Sequence, residues 1–182
     1  WLGGEESSKD GTIFNANIPT EEVFSAPQYN GVNGVVHSTK PLIYHGNTIS
    51  DFSFTFKEGK IVEYTAKEGY EVLKELVETD EGSHYLGEVA LVDHFSPISQ
   101  SNQIFYETLF DENASCHLAI GASYPTCLKN SDGLSEEELK ERGLNHSLTH
   151  VDFMIGHERM NIKGYTRDGQ AVDIMIGGRL QV

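Results

Sequence analysis

The fold is decided by residues 52–64, which read FSFTFKEGKIVEY. Phe52, Phe54 and Phe56 alternate with polar residues, and alternate side chains of an extended strand point to the same face. The following residues 57–60 contain a glycine and predict a turn before a second strand-like run, residues 61–64. The pattern therefore predicts an antiparallel hairpin with one apolar face.

Outside this hairpin the sequence predicts both helices and strands. Residues 67–78 carry apolar side chains at a helical period, which is typical of an amphipathic helix packed on a sheet. A second, short helix is predicted after Ser135, because Ser135 and Glu138 form a capping-box pattern. Strand-like runs recur at residues 161–165 and 171–176. We expect an α+β fold with a largely antiparallel or mixed sheet and a few packed helices.

Composition and charge narrow the class of function. The chain has 182 residues, of which 38% are hydrophobic, so it is long enough to bury a substantial core. Asp and Glu number 28 against 13 Lys and Arg, giving a net charge of −15. Such a charge repels phosphate backbones and anionic bilayers, so we predict no nucleic-acid and no membrane partner. Since no apolar leader or membrane-length run stands in the sequence, a cytoplasmic location is expected.

A candidate metal-binding pair stands at His150-Val151-Asp152, just before an apolar run. In a strand the side chains of His150 and Asp152 leave the same face, so an imidazole and a carboxylate enter one site together. By itself this spacing is weak evidence, since such a pair is more often a structural contact.

Three further segments place acidic or imidazole groups among apolar residues or where prolines restrict the backbone. Glu21 and Glu22 stand between prolines, although both could be first-turn acids of a short helix capped by Thr20. Glu88 is the only charge in the strand-like run of residues 85–92, where it is either buried and bound to a cation or exposed to water. His117 is likewise the one titratable group in an apolar strand-like run. The common alternative to a metal ligand there is a core histidine with its hydrogen bonds satisfied.

Taken together, these segments offer two glutamates, two histidines and one aspartate as oxygen and nitrogen ligands. Such a set suits two divalent ions, Zn, Co, Mn or Mg, which share a carboxylate. The chemistry that it predicts is metal-assisted hydrolysis at strand ends and loops. Cys116 and Cys127 are expected to be small buried thiols rather than a disulfide or a nucleophile.

The same segments resemble a known family. Residues 17–24 (NIPTEEVF), 86–92 (LGEVALV), 110–117 (FDENASCH) and 150–156 (HVDFMIG) are similar, in this order, to motifs of the thermophilic-type metalloaminopeptidases, the aminopeptidase T, aminopeptidase S and PepS group. The resemblance covers nearly the whole chain, while family members carry roughly as much sequence again before it. The chain therefore resembles the C-terminal, metal-binding half of such an enzyme.

The resemblance implies a set of functional residues. It implies metal ligation by Glu22, Glu88, His117, His150 and Asp152, with Glu88 as the bridging carboxylate. It also matches Tyr124 to the family's active-site tyrosine, which we expect to hydrogen-bond the tetrahedral oxyanion. Glu21, beside a proposed ligand, is the expected general base or anchor for the substrate amine.

The expected activity is that of a dinuclear metal-dependent aminopeptidase, which removes the N-terminal residue of a peptide through a metal-activated water. Substrates are peptides with a free N-terminus, and the full-length enzyme is expected to be a homodimer. Residues 1–16 are expected to form a linker-like leading segment and residues 17–182 the metal-binding catalytic domain.

Two other functions remain open at this point. In the first, the chain is a metal-binding or dimerisation fragment that is not catalytic without the missing N-terminal half. The second is a di-metal phosphoesterase, which is disfavoured because few Arg and Lys residues stand near the candidate ligands.

Overall fold

The computed structural model describes residues 1–15 and 20–181. Over these residues it contains short strands and four α-helices. The strands are β1 (Glu6–Ser7), β2 (Ile13–Phe14), β3 (Glu22–Ser25), β4 (Gly34–His37), β5 (Leu42–Tyr44), β6 (Asn47–Ile49), β7 (Ser53–Lys57), β8 (Lys60–Thr65), β9 (Leu86–Val92), β10 (His117–Gly121), β11 (His150–Met154), β12 (Ile162–Tyr165), β13 (Ala171–Ile176) and β14 (Arg179–Leu180). The helices are α1 (Tyr70–Val77), α2 (Pro97–Ser101), α3 (Thr108–Asp111) and α4 (Glu136–Glu141).

The predicted hairpin is formed by β7 and β8, which pair antiparallel around a turn at Glu58 and Gly59. Gly59 has a φ of 85°, and a Cβ there would stand 1.8 Å from the carbonyl oxygen of Tyr29, so only glycine fits. Strand β4 pairs with the other edge of β7 and completes a three-stranded sheet.

A second, four-stranded sheet forms the centre of the molecule, with the strand order β11-β10-β9-β3. All of its neighbouring strands run antiparallel. One face of this sheet packs against the hairpin through a cluster that includes Phe52, Phe54 and Phe153, whose rings lie 5.1 to 5.8 Å apart. The α+β expectation with a largely antiparallel sheet is therefore confirmed.

The predicted helices are both present, with shorter bounds than the sequence pattern gave. Helix α1 begins three residues later than expected, because Gly69 just before it is left-handed, with a φ of 75°. At α4 the Ser135 hydroxyl accepts from the Glu138 amide and the Glu138 carboxylate accepts from the Ser135 amide, so the capping box is confirmed. None of the helices in the described part of the chain is both long and apolar enough to cross a bilayer.

The amino-terminal residues are joined to the central sheet. Strands β1 and β2 pair with each other, and Leu2 exchanges backbone hydrogen bonds with Phe24 of β3. The boundary predicted between residues 16 and 17 lies outside the described residues, so the division into a leading segment and a catalytic domain stays a prediction.

Candidate metal centre

The five predicted ligands lie on one face of the central sheet. Glu88 of β9 and Asp152 of β11 both stand opposite Ala119, the residue of β10 between them. His117 and His150 follow the same alternation on β10 and β11, while Glu22 begins β3 opposite Val92. The small side chain of Ala119 leaves space for the two carboxylates that flank it. Each of the four strands therefore contributes at least one candidate ligand.

A β-bulge sets the position of Glu88. The register between β9 and β10 shifts after Ala119, so that Ile120 pairs with Leu86 and Gly87 is the extra residue. A Cβ on Gly87 would stand 2.2 Å from the Ala122 carbonyl oxygen, so no larger residue fits without moving β10. The bulge lets Leu86 join the aromatic core while Glu88, two positions on, faces the opposite side of the sheet.

His117 is held in a single orientation. Its side chain is fully buried, and Nδ1 donates to the carbonyl oxygen of Ser115 over 3.0 Å. Because a carbonyl only accepts, Nε2 is the nitrogen left for the site, and it lies 3.1 Å from Glu22 Oε2 and 3.2 Å from Glu88 Oε1. Burial alone would lower the pKa of His117, but the carboxylates of Glu22 and Glu88 raise it well above its usual value.

His150 repeats this arrangement at the other end of Glu88. Its Nδ1 donates to the carbonyl oxygen of Ala122 over 2.7 Å, and Nε2 lies 3.4 Å from Asp152 Oδ1 and 3.8 Å from Glu88 Oε2. The carboxylate of Asp152 outweighs burial and raises the pKa of His150 to about 9. A backbone carbonyl that holds Nδ1–H is the usual way in which a metal-binding histidine is oriented.

The candidate ligands are arranged as a binding site for divalent cations would be, and without a cation some of their buried oxygens have no partner among the described residues. Ligand atoms of Glu22, Glu88 and His117 lie within 4.8 Å of one another, and so do those of Glu88, His150 and Asp152. Among the described side chains, Glu22 Oε2 and Asp152 Oδ1 are buried without a hydrogen-bond partner, although each is near an imidazole Nε2. Buried carboxylates of this kind are costly unless a cation neutralises them. The two groups share Glu88, whose two oxygens face different histidines.

Glu112 was not predicted as a site residue, although it stands inside a segment that carries the family resemblance. It forms a third group with His117 and Asp152 within the same 4.8 Å limit. Burial, together with the charges of Glu22 and Asp152, raises its pKa to about 8. The signal that could have found it is its position five residues before His117, in the turn that leads into β10.

The two predicted catalytic residues stand at the edge of the cluster. Tyr124 lies just before a short 3-10 turn, with its ring centroid 4.8 Å from that of His150. Burial and the nearby carboxylates, Glu88 first, raise its pKa to about 12, so its hydroxyl keeps its proton. Glu21 is half-buried, and its backbone N–H donates to Asn113 Oδ1 over 2.8 Å. Its carboxylate belongs to none of the three ligand groups found among the described residues.

The loop before His150 is fixed by two polar side chains, the buried Asn145 and the partly buried Asp80. The Asn145 amide donates to the carbonyl oxygens of Gly82 and Gly121 over 2.8 and 2.7 Å, which joins the loops flanking β9, β10 and β11. The Asp80 carboxylate accepts from the Leu148 amide and the Ser147 hydroxyl over 2.6 and 2.8 Å. These bonds hold the start of β11, where His150 stands.

The geometry shows the local structure and the surroundings of the residues for which alternatives were considered. Glu22 begins a strand rather than lying in a helical turn, and Glu88 is 5% exposed rather than facing water. His117 is a core histidine as regards burial, but its Nε2 faces carboxylates rather than a neutral partner. The cysteines Cys116 and Cys127 form no disulfide.

Known proteins are similar to the chain over almost its whole length. Aminopeptidase 2 of Geobacillus stearothermophilus is 57% identical over 178 residues, and aminopeptidase T of Thermus aquaticus is 45% identical over 179 residues. Each match covers 98% of this chain but only 43% of the relative, so the chain spans less than half of their length. The solved structure of wild-type AmpT from Thermus thermophilus superposes with a TM-score of 0.91 at 43% identity, over all of this chain and 45% of that one.

A family model gives the same result. The model of the thermophilic metalloprotease (M29) family matches residues 1–180, which include every candidate ligand described above. The order of the motifs, the fold and the donor set agree with this match. The chain therefore belongs to the thermophilic metalloprotease (M29) family.

Proposed function

We propose that this chain is the metal-binding catalytic part of a dinuclear aminopeptidase, which hydrolyses the N-terminal residue from peptides with a free N-terminus. The observation that carries the proposal is the convergence of two carboxylate–histidine groups on one shared carboxylate, Glu88. The names of the relatives, all aminopeptidases, support the reaction. In this proposal residues 17–182 form the catalytic domain and residues 1–16 lead into it. A cytoplasmic location and a homodimer for the full-length enzyme stay predictions.

The proposed ligands fall into two sets. Glu22, Glu88 and His117 would hold one ion, and Glu88, His150 and Asp152 would hold the other. Divalent ions such as Zn, Co, Mn or Mg would supply Lewis acidity, which lowers the pKa of water and polarises a carbonyl group. Metal and protons would compete for His117 and His150, because only the neutral imidazole Nε2 is a ligand.

The remaining side chains act on the substrate. Tyr124 keeps its proton at neutral pH and donates it in a hydrogen bond to the oxyanion that develops on the scissile carbonyl. Glu112, inside the cluster but in neither of these two sets, is the stronger candidate to accept and return a proton, since its carboxylate lies within 4.8 Å of ligand atoms of His117 and Asp152. Glu21, at the edge, is the candidate anchor for the substrate's protonated amine.

The proposal is tested by hydrolysis of leucyl p-nitroanilide, measured on the longest natural polypeptide that contains this chain. We expect chelation to abolish turnover and a divalent metal to restore it. Turnover that is indifferent to chelation would exclude a metal-dependent reaction. Glu112→Gln and Glu21→Gln separate the two carboxylates, because loss of kcat is expected for the first and a rise in KM for the second.

Glu88→Gln tests whether one carboxylate serves both ions. We expect metal content to fall from two ions per chain to one or none, with loss of turnover. Glu63→Gln, on the exposed outer position of β8, is the matched control and should change neither quantity. Unchanged metal content in Glu88→Gln would remove Glu88 from the site.

A second candidate function is a metal-binding or dimerisation fragment without catalysis of its own. It is favoured by the coverage of the relatives, of which the chain spans only 43%. Assays of the isolated chain beside the longer polypeptide distinguish the two. Equal turnover per metal-loaded site would exclude the fragment, and binding of metal without turnover by the isolated chain would support it.

A further inference from the structure

The turn that leads into β10 is buried although it carries polar side chains. Residues Glu112–Ala114 form a 3-10 turn, and Ser115 after it is extended. Asn113 is 1% exposed and Ser115 is 4% exposed. A buried amide or hydroxyl costs free energy unless it is hydrogen-bonded. The contacts of these two residues therefore show what holds the turn in place.

Asn113 binds the chain just before the candidate ligand Glu22. Its Oδ1 accepts the backbone N–H of Glu21 over 2.8 Å, although the two residues are 92 positions apart in the sequence. Glu22 follows directly and is the first residue of β3. Because the hydrogen bond is made to the backbone, it fixes the point at which β3 begins. The backbone that carries the Glu22 side chain is thereby held relative to the turn before β10.

A second contact joins the same segment to the end of β9. Cys116 Sγ accepts from the Val92 N–H and donates to the Val92 carbonyl oxygen, each over 3.3 Å. Val92 stands opposite Glu22 in the pairing of β9 with β3. The segment from residue 113 to residue 116 therefore fixes both strands at the level of Glu22.

The same segment orients His117. The carbonyl oxygen of Ser115 accepts from His117 Nδ1 over 3.0 Å, and Nε2 of the ring lies 3.1 Å from Glu22 Oε2. Glu22 and His117 are the two members of their ligand group that the group of His150 does not share. One is supported through Asn113 and the other through Ser115, so their spacing depends on this short segment.

The other ligand group has separate supports. His150 Nδ1 donates to the carbonyl oxygen of Ala122 over 2.7 Å, and the neighbouring carbonyl of Gly121 is held by the Asn145 amide over 2.7 Å. These contacts involve none of the residues from 113 to 116. A change at Asn113 should therefore disturb the first ligand group and leave the second in place.

We propose that Asn113 is a positioning residue for the ion held by Glu22, Glu88 and His117, and that it acts through the backbone of Glu21 to set the spacing between Glu22 and His117. The inference rests on the proposed function, because it uses the ligand set proposed there. Residues that orient metal ligands through hydrogen bonds commonly change metal affinity when they are replaced. Asn113 is expected to do so for one ion only.

The test is a titration of the longer polypeptide with Mn or Zn in competition with a chelator. In Asn113→Ala we expect the Kd of one ion to rise about 10- to 100-fold, while the Kd of the other stays unchanged. Asn33→Ala is the matched control, because Asn33 Oδ1 also accepts a backbone N–H over 2.8 Å, that of Glu58, in the hairpin region. It should leave both ions unchanged. Equal weakening of both ions in Asn113→Ala would show a merely structural role and would overturn the inference.

Two backgrounds show which ion is affected. Glu22→Gln is expected to keep the ion at His150 and Asp152, and Asp152→Asn the ion at Glu22 and His117. Adding Asn113→Ala should weaken the remaining ion in the Asp152→Asn background and leave it unchanged in the Glu22→Gln background. The reverse pattern, or the same change in both, would contradict the assignment. Asn113→Ser keeps an oxygen nearer the backbone and is the milder variant, in which the same selectivity is expected if Asn113→Ala does not fold.

Metal binding and turnover separate this inference from the proposed function. If the longer polypeptide hydrolyses no aminoacyl anilide but Asn113→Ala weakens one ion selectively, the proposed reaction fails and the role of Asn113 stands. If turnover depends on metal but Asn113→Ala binds both ions with unchanged Kd, the role of Asn113 is overturned and the reaction stands.

Discussion

Both faces of the central sheet are largely buried, but one is covered by aromatic side chains and the other carries charged groups. On the hairpin side, Phe52, Phe54 and Phe153 are 1 to 2% exposed and touch one another. On the other side, Glu88 and His117 are 5% and 0% exposed and touch charged groups. The strands alternate between these faces, so a single residue step along β11 separates Asp152 from Phe153.

The contrast separates the residues that stabilise the fold from those to which the proposed function is assigned. The aromatic face gains free energy from burial and needs no ligand. The charged face gathers carboxylates that repel one another, and protons on the two histidines only partly compensate. The stability of the first face should be independent of metal and pH, while that of the second should depend on both.

The largest effect on the free energy of unfolding is expected from a substitution on the aromatic face. Phe54→Ala leaves a cavity between three other rings and should lower the free energy of unfolding by about 3–5 kcal/mol. Denaturant unfolding measures this, and metal content per folded chain should stay unchanged. Val62→Ala, on the exposed outer side of the hairpin, is the control and should change stability by about 0.5 kcal/mol or less. A loss of metal in folded Phe54→Ala would show that the two faces are not independent.

Metal addition probes the charged face directly. An ion that binds only the folded chain, at a free concentration about 100 times its Kd, should stabilise it by about 2.7 kcal/mol. The rise in Tm on adding Zn or Mn to the chelated protein measures this. Phe54→Ala should keep the full increment and Glu88→Gln should lose most of it. An equal increment in both variants would locate the bound ion elsewhere.

A smaller effect is expected from the loop that supports His150. Asn145→Ala leaves the carbonyl groups of Gly82 and Gly121 without their buried donor, at a cost of about 1–3 kcal/mol. The loop holds His150 and not Glu22. The ion proposed at His150 and Asp152 should therefore be bound more weakly, while the ion proposed at Glu22 and His117 is kept. Metal titration followed by competition with a chelator tests this, and equal weakening of both ions would contradict it.

The smallest effect is a pH dependence of the metal-free chain. Burial raises the pKa of Glu112 from 4.5 to about 8, so between these values the folded chain binds a proton that the unfolded chain has released. Its contribution to stability is present below pH 4.5 and is lost as the pH rises through 8. The Tm of the chelated protein should therefore fall over this interval, and less so in Glu112→Gln. An identical slope in the variant would remove Glu112 as the cause.

The sequence alone predicted the aromatic face of the sheet but not the burial of the charged face. The alternation of Phe52, Phe54 and Phe56 was sufficient for the hairpin, because strand periodicity is local. The exposure of Glu88 could not be predicted, since it depends on β10 and β3 packing on both sides of β9. The family resemblance chose Glu22 over Glu21; among the described residues Glu22 belongs to a possible ligand group and Glu21 does not, and the assignment stays a prediction.

Glu112 shows where local reasoning failed. It stands in the polar run Asp111-Glu112-Asn113, which is typical of an exposed turn. The turn is instead packed so that Asn113 is 1% exposed, and its side chain binds the amide of Glu21. No pattern within that run encodes contacts made so far along the chain.

The order of the proposed ligands along the chain has a consequence for folding during synthesis. Glu22, Glu88 and His117 all precede residue 118. The group that contains His150 and Asp152 is complete only when β11 has been synthesised. Contacts between such distant segments form late in folding, because closing a long loop costs entropy before any contact repays it. On the proposed ligand set, metal loading completes maturation rather than starting it. On the same ligand set, a chain that stops before β11 would contain the proposed ligands of only one ion, because His150 and Asp152 would be absent.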